Sequence, residues 1–341
     1  MIICKINKMS FDSIIAFDIS KKKFDVAVMD NHAKAIAKNA KFSNNLKGFD
    51  KLLKWLEKNN INLEKGLFCL ENTGIYHRLL VQFLQGKKAF VWVENPVQIA
   101  WSGGLLRGKN DAVDARRIMT YAFRNSDKAK AYQNRDKVLE KVASFLSLRE
   151  RLQNCKKVLL QPIKELKSVG LEDESTQLEM SCKKSINAIE KELKAIDLKI
   201  IKAIAKDEEL QHKYELVKSV KCVGFVAATY LLVVTNGFKR FDTAKQLASY
   251  AGIAPFEYSS GTSIKGRTKV NHMANKKLKT VLHMCAVSSV RHNPEMKRYF
   301  ARKVGEGKNK MLVLNAIRNK IVGRVISCVS NNRAYTLEYA A

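Results

Sequence analysis

Apolar and polar positions alternate in two ways along the first third of the chain. Between about Phe11 and Arg124, short runs typical of β-strands are separated by segments with helical spacing. The predicted strands are Ile14 to Asp18, Phe24 to Met29, Leu67 to Leu70 and Ala89 to Val93. The predicted helices are Leu46 to Glu57, Ile75 to Leu84 and Asp111 to Phe123. This alternation predicts a mixed α/β domain over residues 10–128.

The middle of the chain has a purely helical pattern. From about Asp136 to Glu215 long polar helices are predicted, with a kink at Pro162 and a turn at Gly170. One helix has apolar residues at heptad intervals, namely Cys182, Ile186, Ile189, Leu193, Ile196 and Ile200. This spacing fits a coiled coil between two protomers and equally a helix packed within its own domain. We assign residues 129–215 to a helical, coiled-coil linker.

Four acidic residues occupy particular places in these elements. Asp18 lies near the end of the first strand of a predicted hairpin, and Glu71 follows a short apolar run, where open α/β sheets place their ligands. Asp111 and Asp114 open a helix and share one of its faces. A nuclease of the RNase H architecture needs metal ligands at such positions, because Mg²⁺ prefers carboxylate oxygens. The alternative is that Asp111 and Asp114 are ordinary first-turn helix acids.

The net charge of the chain indicates which kind of partner these acids act on. With 62 Lys and Arg against 32 Asp and Glu, the net charge is +30, which indicates a polyanionic partner such as nucleic acid. No apolar run approaches the length of a membrane-spanning helix, and the first residues lack the apolar core of a signal peptide. We therefore expect a soluble, cytoplasmic, nucleoid-associated prokaryotic protein. The seven cysteines form no C-x-x-C pair, which predicts reduced thiols and no zinc module.

The positive charge is concentrated in the last third of the chain, residues 216–341. No acidic residue occurs between Tyr258 and Pro294. The predicted nucleic-acid-binding residues of this tract are Lys265, Arg267, Lys269, Lys276, Lys277 and Lys279. The stretch from Ser259 to Ser263 predicts a phosphate-binding loop that leads into a helix.

The order of these motifs resembles the DEDD-type insertion-sequence transposases, a family that includes the Piv-type DNA invertases and bridge-RNA-guided recombinases. The resemblance rests on Phe17-Asp18-Ile19-Ser20, Glu71-Asn72-Thr73-Gly74, Val93-Glu94-Asn95-Pro96, Lys109-Asn110-Asp111-Ala112-Val113-Asp114-Ala115, Tyr250-Ala251-Gly252-Ile253-Ala254-Pro255 and Ser260-Gly261. It implies a RuvC-like (RNase H-like) domain, the helical linker, and a mainly α-helical carboxy-terminal transposase domain over 216–341.

The resemblance also implies the roles of individual residues. Asp18, Glu71, Asp111 and Asp114 would hold two Mg²⁺ ions, which Mn²⁺ can replace, and Ser260 would be the nucleophile. Ser259 and Ser263 are close in sequence and are the alternative candidates for this nucleophile. The implied partners are double-stranded donor and target DNA, a structured guide RNA, and further copies of the chain in a dimer or a tetramer of dimers.

The chain differs from the family pattern at two places, and several alternative functions remain open. Val220-Lys221-Cys222-Val223-Gly224 keeps only the last glycine of a helix-hairpin-helix turn, and His272-Met273-Ala274-Asn275 lacks a glycine that relatives carry. The alternatives are a RuvC-like junction nuclease that uses water, a Piv-type invertase, a sugar-kinase or actin-like ATPase, and a binder that does not cut. The lysine-rich turn at Ser20 to Lys23 disfavours the ATPase.

Overall fold

The structure is a computed structural model that describes residues 11–103, 111–260, 264–270 and 273–336, with side chains except at 111–112, 257–260 and 264–269. The chain divides into two compact units, Met1–Asn134 and Arg135–Ala341. The division into three parts at 10–128, 129–215 and 216–341 stays a prediction. None of the helices within the described ranges is long and apolar enough to cross a membrane.

The first unit contains a mixed sheet. Its strands are β1 (Ser13–Ile19), β2 (Lys23–Asp30), β3 (Ala40–Ser43), β4 (Gly66–Glu71) and β5 (Phe90–Glu94), in the order β3-β2-β1-β4-β5. β1 pairs antiparallel with β2, and β2 pairs antiparallel with β3. β4 pairs parallel with both β1 and β5, so that β1, β4 and β5 end at the same edge of the sheet.

Helices cover both faces of this sheet because alternate strand residues are apolar on each side. Apolar residues of α1 (Leu46–Lys58) and α2 (Arg78–Gly86) pack on one face around Phe17 and Phe68. Those of α3 (Pro96–Ser102) and α4 (Asp111–Arg124) pack on the other face around Ala16 and Trp92. The strong apolar alternation of β1 and β2 thus supports two separate core layers.

The second unit is mainly helical, and the α/β plus helical fold class is confirmed at this level. Its helices are α5 (Lys137–Ser168), α6 (Glu172–Ile204), α7 (Glu208–Ser219), α8 (Phe225–Thr235), α9 (Ala244–Tyr250), α10 (Lys276–His292), α11 (Pro294–Gly305) and α12 (Lys310–Ser330). Strands β6 (Pro255–Ser260) and β7 (Ile264–Val270) form an antiparallel hairpin, which the sequence pattern did not predict. α8 is apolar on all sides and lies in the core, as expected for such a helix.

The apolar heptad residues of α6 pack against other helices of the same chain. α5 and α6 pack together as a helical hairpin around Gly170, which has a φ of +82°, and α5 continues through Pro162. On α6, Ile186, Leu193, Ile196 and Ile200 are buried. Ion pairs from Arg149 to Asp197 and from Lys156 to Glu190 connect the two helices. The structure therefore matches the interpretation of a helix packed within its own unit.

Replacing Leu193 with Asp is expected to destabilise the second unit rather than only its assembly. Leu193 is 9% exposed, and an unpaired carboxylate there would lower the free energy of unfolding by roughly 3 kcal/mol or more. Leu198→Asp is the matched control, because Leu198 lies on the same helix and is 58% exposed. Urea denaturation measures both variants. Full stability of Leu193→Asp combined with loss of self-association would instead place the apolar heptad residues between protomers.

Candidate active site

Acidic residues lie side by side across four neighbouring strands of the first unit. Asp25 on β2 is the cross-strand partner of Asp18 on β1, and Glu71 on β4 is the partner of Glu94 on β5. The parallel pairing of β1 and β4 continues up to the residues immediately before Asp18 and Glu71. We call Asp25, Asp18, Glu71 and Glu94 the carboxylate row. Neighbouring strands are about 4.8 Å apart, so adjacent members of the row are close neighbours.

The carboxylate row faces helix α4. In each strand, the residue two positions from the acid packs in the core layer beneath α4; these residues are Ala16, Ala27, Cys69 and Trp92. Side chains of a strand alternate with a period of two, so the acids project toward the same face. Because β1, β4 and β5 end together at this edge, the row lies at their carboxyl ends, where α/β sheets commonly bind ligands.

Helix α4 adds a further acid to this face. Asp114 is half-buried, and Arg117 Nη1 lies 2.6 Å from its carboxylate oxygen Oδ1. Burial raises the pKa of Glu71 above its usual value, and the negative charge of Asp114 raises it further. Like charges have this effect only at short range, so Asp114 and Glu71 belong to one electrostatic site. Asp111 is the first residue of α4, and its side chain lies outside the described residues.

Glu94 is a candidate functional residue that the sequence analysis did not assign. The hydroxyl of Tyr121 on α4 donates to Glu94 Oε2 at 3.0 Å, and the backbone N–H of Asn95 donates to Oε1 at 2.6 Å. Burial and the charge of Glu94 raise the pKa of Tyr121, so the phenol remains a donor. Glu94 follows the apolar run of β5 as Glu71 follows that of β4. That shared position is the signal that could have identified it.

The outermost acid of the row has its own counter-ion. Lys41 on β3 is the cross-strand partner of Asp25, and its Nζ lies 3.4 Å from Asp25 Oδ1. The charge of Asp25 is therefore balanced within the sheet. Asp18, Glu71 and Glu94 are the members of the row that lie toward the ends of the three parallel strands.

Asn44 connects the segments that follow the two central acids. Its side-chain amide donates to the carbonyl oxygens of Ser20 and Tyr76, each at 3.0 Å. Its backbone N–H donates to the carbonyl oxygen of Lys22 at 2.9 Å. One side chain thus connects the turn after Asp18 with the loop after Glu71 and limits the relative movement of the two acids.

The donor chemistry of this face fits a divalent cation. Carboxylate oxygens are the ligands that Mg²⁺ prefers, and a bound cation would offset both the burial and the repulsion by Asp114 that raise the pKa of Glu71. Among the side chains that the structure describes, no three His, Cys, Asp or Glu residues lie close enough together to hold an ion. Asp111 is not among those side chains. The fit therefore rests on the shared face and charge of the acids.

The serine motif lies in the second unit. Ser260 is the last residue of β6 and is the cross-strand partner of Ile264, while Ser259 is the partner of Lys265. Ser263 lies outside the described residues, as do the side chains of Ser259 and Ser260. The predicted loop at this place is therefore a strand at Ser259 and Ser260, because these residues belong to the hairpin.

The predicted basic residues divide between β7 and α10. Lys265, Arg267 and Lys269 lie on β7, and their side chains are outside the described part of the chain. Lys276, Lys277 and Lys279 lie in the first turn of α10; Lys276 is exposed, and Lys277 forms an ion pair with Glu150. Burial lowers the pKa of Lys277. Asn275 caps this helix by accepting from the backbone N–H of Leu278 at 2.9 Å.

Replacing Glu71 with Gln is expected to stabilise the first unit at neutral pH. The pKa of Glu71 is raised in the folded protein, so its carboxyl ionises more readily in the unfolded chain. At a pH above the ordinary pKa of glutamate, this difference favours the unfolded chain. Gln removes this effect and should raise the free energy of unfolding. The gain is no more than about 1 kcal/mol, because water screens a half-buried carboxyl. The gain should be largely lost near pH 4, where the carboxyl is mostly protonated in both states. Thermal denaturation at pH 4 and pH 7.5 without divalent ions measures it; an equal gain at both pH values would contradict this cause.

Family comparisons agree with the sequence motifs. A model for DEDD-type IS110 transposases, described as "Transposase", matches residues 15–167. A second, described as "Transposase IS116/IS110/IS902 family", matches residues 214–301. The first range includes Asp18, Glu71, Asp111 and Asp114, and the second includes Ser260. Together the two ranges cover more than half of the chain.

The individual relatives are gene-inverting proteins and proteins of insertion elements. The pilin gene-inverting protein of Moraxella bovis is 26% identical over 324 residues, which is 94% of this chain and 97% of the relative. That of Moraxella lacunata matches to the same extent. An uncharacterized 43.6 kDa protein of insertion element IS110 from Streptomyces coelicolor is 31% identical over 138 residues, 40% of this chain and 33% of that protein. The chain therefore belongs to the IS110-type transposase family and is a DNA transposase or recombinase.

Proposed function

We propose that this chain is the transposase of an insertion sequence, which cuts and rejoins DNA strands with Mg²⁺ held by four acids and with Ser260 as nucleophile. The observation that carries the proposal is the placement of Asp18 and Glu71 at the ends of adjacent parallel strands, with Asp114 close enough to raise the pKa of Glu71. A mixed sheet with helices on both faces supports a RuvC-like, RNase H-like assignment of the first unit.

Asp18, Glu71, Asp111 and Asp114 are the residues that would hold the metal ions. Two bound Mg²⁺ ions, or Mn²⁺ in their place, supply electrostatic stabilisation of charge on the scissile phosphate. Arg117 forms an ion pair with Asp114, which balances part of the negative charge of this face. Tyr121 and the backbone of Asn95 fix the orientation of Glu94 beside Glu71.

Ser260 performs the covalent step in this proposal. Its oxygen loses a proton and attacks phosphorus, the bond from phosphorus to the leaving sugar oxygen breaks, and that oxygen takes up a proton. The resulting phosphoserine ester keeps the energy of the phosphodiester bond. A sugar hydroxyl of the second strand then loses its proton and attacks the phosphorus, the bond from phosphorus to the Ser260 oxygen breaks, and that oxygen takes up a proton, which restores a phosphodiester and the free serine. The exchange is balanced and needs no ATP.

The proposed partners are nucleic acids and further copies of the chain. An excess of 30 positive charges suits the neutralisation of DNA and RNA backbones. We infer that double-stranded donor and target DNA bind together with a structured RNA of the element, whose base pairing supplies the sequence specificity. A homo-oligomer would supply more than one set of acids and serines to the two DNA strands.

The experiment combines purified protein, Mg²⁺, RNA transcribed from the element flanks, and labelled donor and target DNA. A denaturing gel separates a protease-sensitive protein–DNA adduct, joined strands and free cleaved strands. The proposal requires the adduct and joined strands, and requires both to depend on Mg²⁺. Cleaved strands without any adduct would indicate a junction nuclease that uses water.

DNA inversion is the second candidate function. The observation that favours it is the match to the pilin gene-inverting proteins over 97% of their length. A plasmid that carries the two recombination sites in inverted orientation distinguishes the candidates. Inversion of the intervening segment supports the invertase, whereas insertion of a mobile donor into a separate target supports the transposase.

A further inference from the structure

A cavity in the second unit lies outside the candidate active site. It has a volume of about 570 Å³, and its lining comes from α5, α8, α9, the start of α10 and residues next to these helices, including Arg135, Arg240 and Asn275. A volume of this size is typical of sites that enclose a small molecule or a single residue of a polymer, and it is too small for a base-paired duplex. The proposed function assigns no role to it.

The lining is strongly basic. Arg135, Arg149, Lys157, Arg240 and Lys277 contribute positive charge, and Glu150 contributes a negative one. Glu150 is paired with Lys277, and Arg149 with Asp197. Within the described residues, no carboxylate forms an ion pair with Arg135, Lys157 or Arg240. These three cations favour an anionic ligand such as a phosphate group.

One side of the cavity is aromatic. The guanidinium group of Arg240 lies 4.7 Å from the ring centre of Tyr250 and 5.3 Å from that of Phe241. The two rings are 5.2 Å apart. Tyr230, on α8, also lines the cavity. Tyrosine rings and arginine groups are the side chains on which unpaired bases stack in nucleic-acid-binding proteins.

A hydrogen-bonding edge lies beside this aromatic side. Tyr230 donates to Asn275 Oδ1 at 3.4 Å, and Asn275 Nδ2 donates to the hydroxyl oxygen of Tyr250 at 3.3 Å. The capping bond to Leu278 fixes the amide of Asn275. Because the hydroxyl of Tyr250 accepts in this arrangement, its own O–H can donate to the edge of a base.

We propose that this cavity binds one unpaired nucleotide of a nucleic-acid strand, with its base against Tyr250 and Arg240 and its phosphate beside Arg135. The proposal rests on the proposed function in so far as the chain handles nucleic acid. The same chemistry can come from single-stranded DNA or from RNA. It also gives a role to Tyr250, the first residue of the Tyr-Ala-Gly motif.

The test compares duplexes that have a single extrahelical nucleotide with perfect duplexes of the same sequence, in DNA and RNA forms. Fluorescence anisotropy with the full-length protein in EDTA measures affinity without any strand cleavage. We expect the bulged form of at least one nucleic acid to bind about tenfold more tightly than the perfect duplex. The form with the larger ratio identifies the source of the nucleotide.

Variants locate the binding site. Arg240→Gln and Tyr250→Leu should reduce the ratio to about one, whereas Tyr250→Phe, which keeps the ring, should retain most of it. Arg302→Gln is the matched control, because Arg302 also lies over a tyrosine ring, that of Tyr299, on α11. It should leave the ratio unchanged. A photoreactive base at the bulge should crosslink to the peptide that contains Tyr250 or Tyr230.

Equal affinity for bulged and perfect duplexes would overturn the proposal. A ratio that persists in both Arg240→Gln and Tyr250→Leu, with crosslinks elsewhere, would overturn it as well. If Tyr250→Leu does not fold, Arg240→Gln and the crosslink decide the outcome. Because no cleavage is required, a positive result remains valid even if Ser260 is not a nucleophile, and the failure of either proposal can be recognised separately.

Discussion

Asp18→Asn abolishes Mg²⁺-dependent cleavage of DNA, with an expected loss of about a thousandfold or more. The amide keeps the size of the carboxylate but removes its charge, and therefore the strongest contribution to holding a hard cation. Asp18 lies at the end of β1, next to Glu71 on β4, so the substitution changes the centre of the carboxylate row. The measurement is the rate of strand cleavage on labelled donor DNA over a range of Mg²⁺ concentrations.

Asp25→Asn is the matched control for this prediction. Asp25 is the direct cross-strand partner of Asp18 and belongs to the same row, but it forms an ion pair with Lys41. We expect cleavage within about threefold of wild type, since Asp25 lies on β2, farther from Glu71 and Glu94 than Asp18 does, and has Lys41 as its own counter-ion. An active Asp18→Asn protein would remove Asp18 from the metal site. Equal loss in both variants would indicate that the total charge of the row, and not Asp18 itself, is needed.

Ser260→Ala eliminates the covalent protein–DNA adduct and lowers strand joining by about 10⁴-fold or more, a loss typical of removing a nucleophile. The reason is that alanine has no oxygen with which to form the ester. Denaturing gels with and without protease measure the adduct. Mass spectrometry of the adduct peptide identifies the modified serine directly.

Ser259→Ala is the control for the serine assignment. Ser259 and Ser260 occupy consecutive positions of β6, opposite Lys265 and Ile264. We expect Ser259→Ala to retain the adduct, and the same comparison at Ser263 tests the remaining candidate. Normal cleavage by Ser260→Ala without any adduct would mean that water is the nucleophile and that Ser260 only contacts the nucleic acid.

Sequence patterns predicted most of the first unit because its elements have strong periodicity. The helix predicted from Leu46 to Glu57 is observed as Leu46–Lys58, and the one from Asp111 to Phe123 as Asp111–Arg124. β3 was missed because an edge strand of four residues has too few positions to show alternation. α3 was also missed, although Asn95 followed by Pro96 is a typical helix start.

The acids could be selected from the sequence, but their arrangement could not. Which residues of β1, β4 and β5 are neighbours depends on strand register, which forms through contacts between residues that are distant in the chain. For this reason Glu94 received no role before its position beside Glu71 was known. The cavity around Tyr250 was missed for a related reason, because its lining comes from helices and adjoining residues that are separated in sequence.

The alternation of apolar and acidic positions in β1 couples the strand register to the stability of the first unit. Phe17 and Ile19, on either side of Asp18, are both buried in the opposite core layer. A slip of β1 by one residue would exchange the two faces, placing a charge among phenylalanines and an apolar side chain at the place of Asp18. A misfolded copy would thus lose its stability and its carboxylate together. Few folded molecules would therefore have a wrongly assembled carboxylate row at the proposed cleavage site.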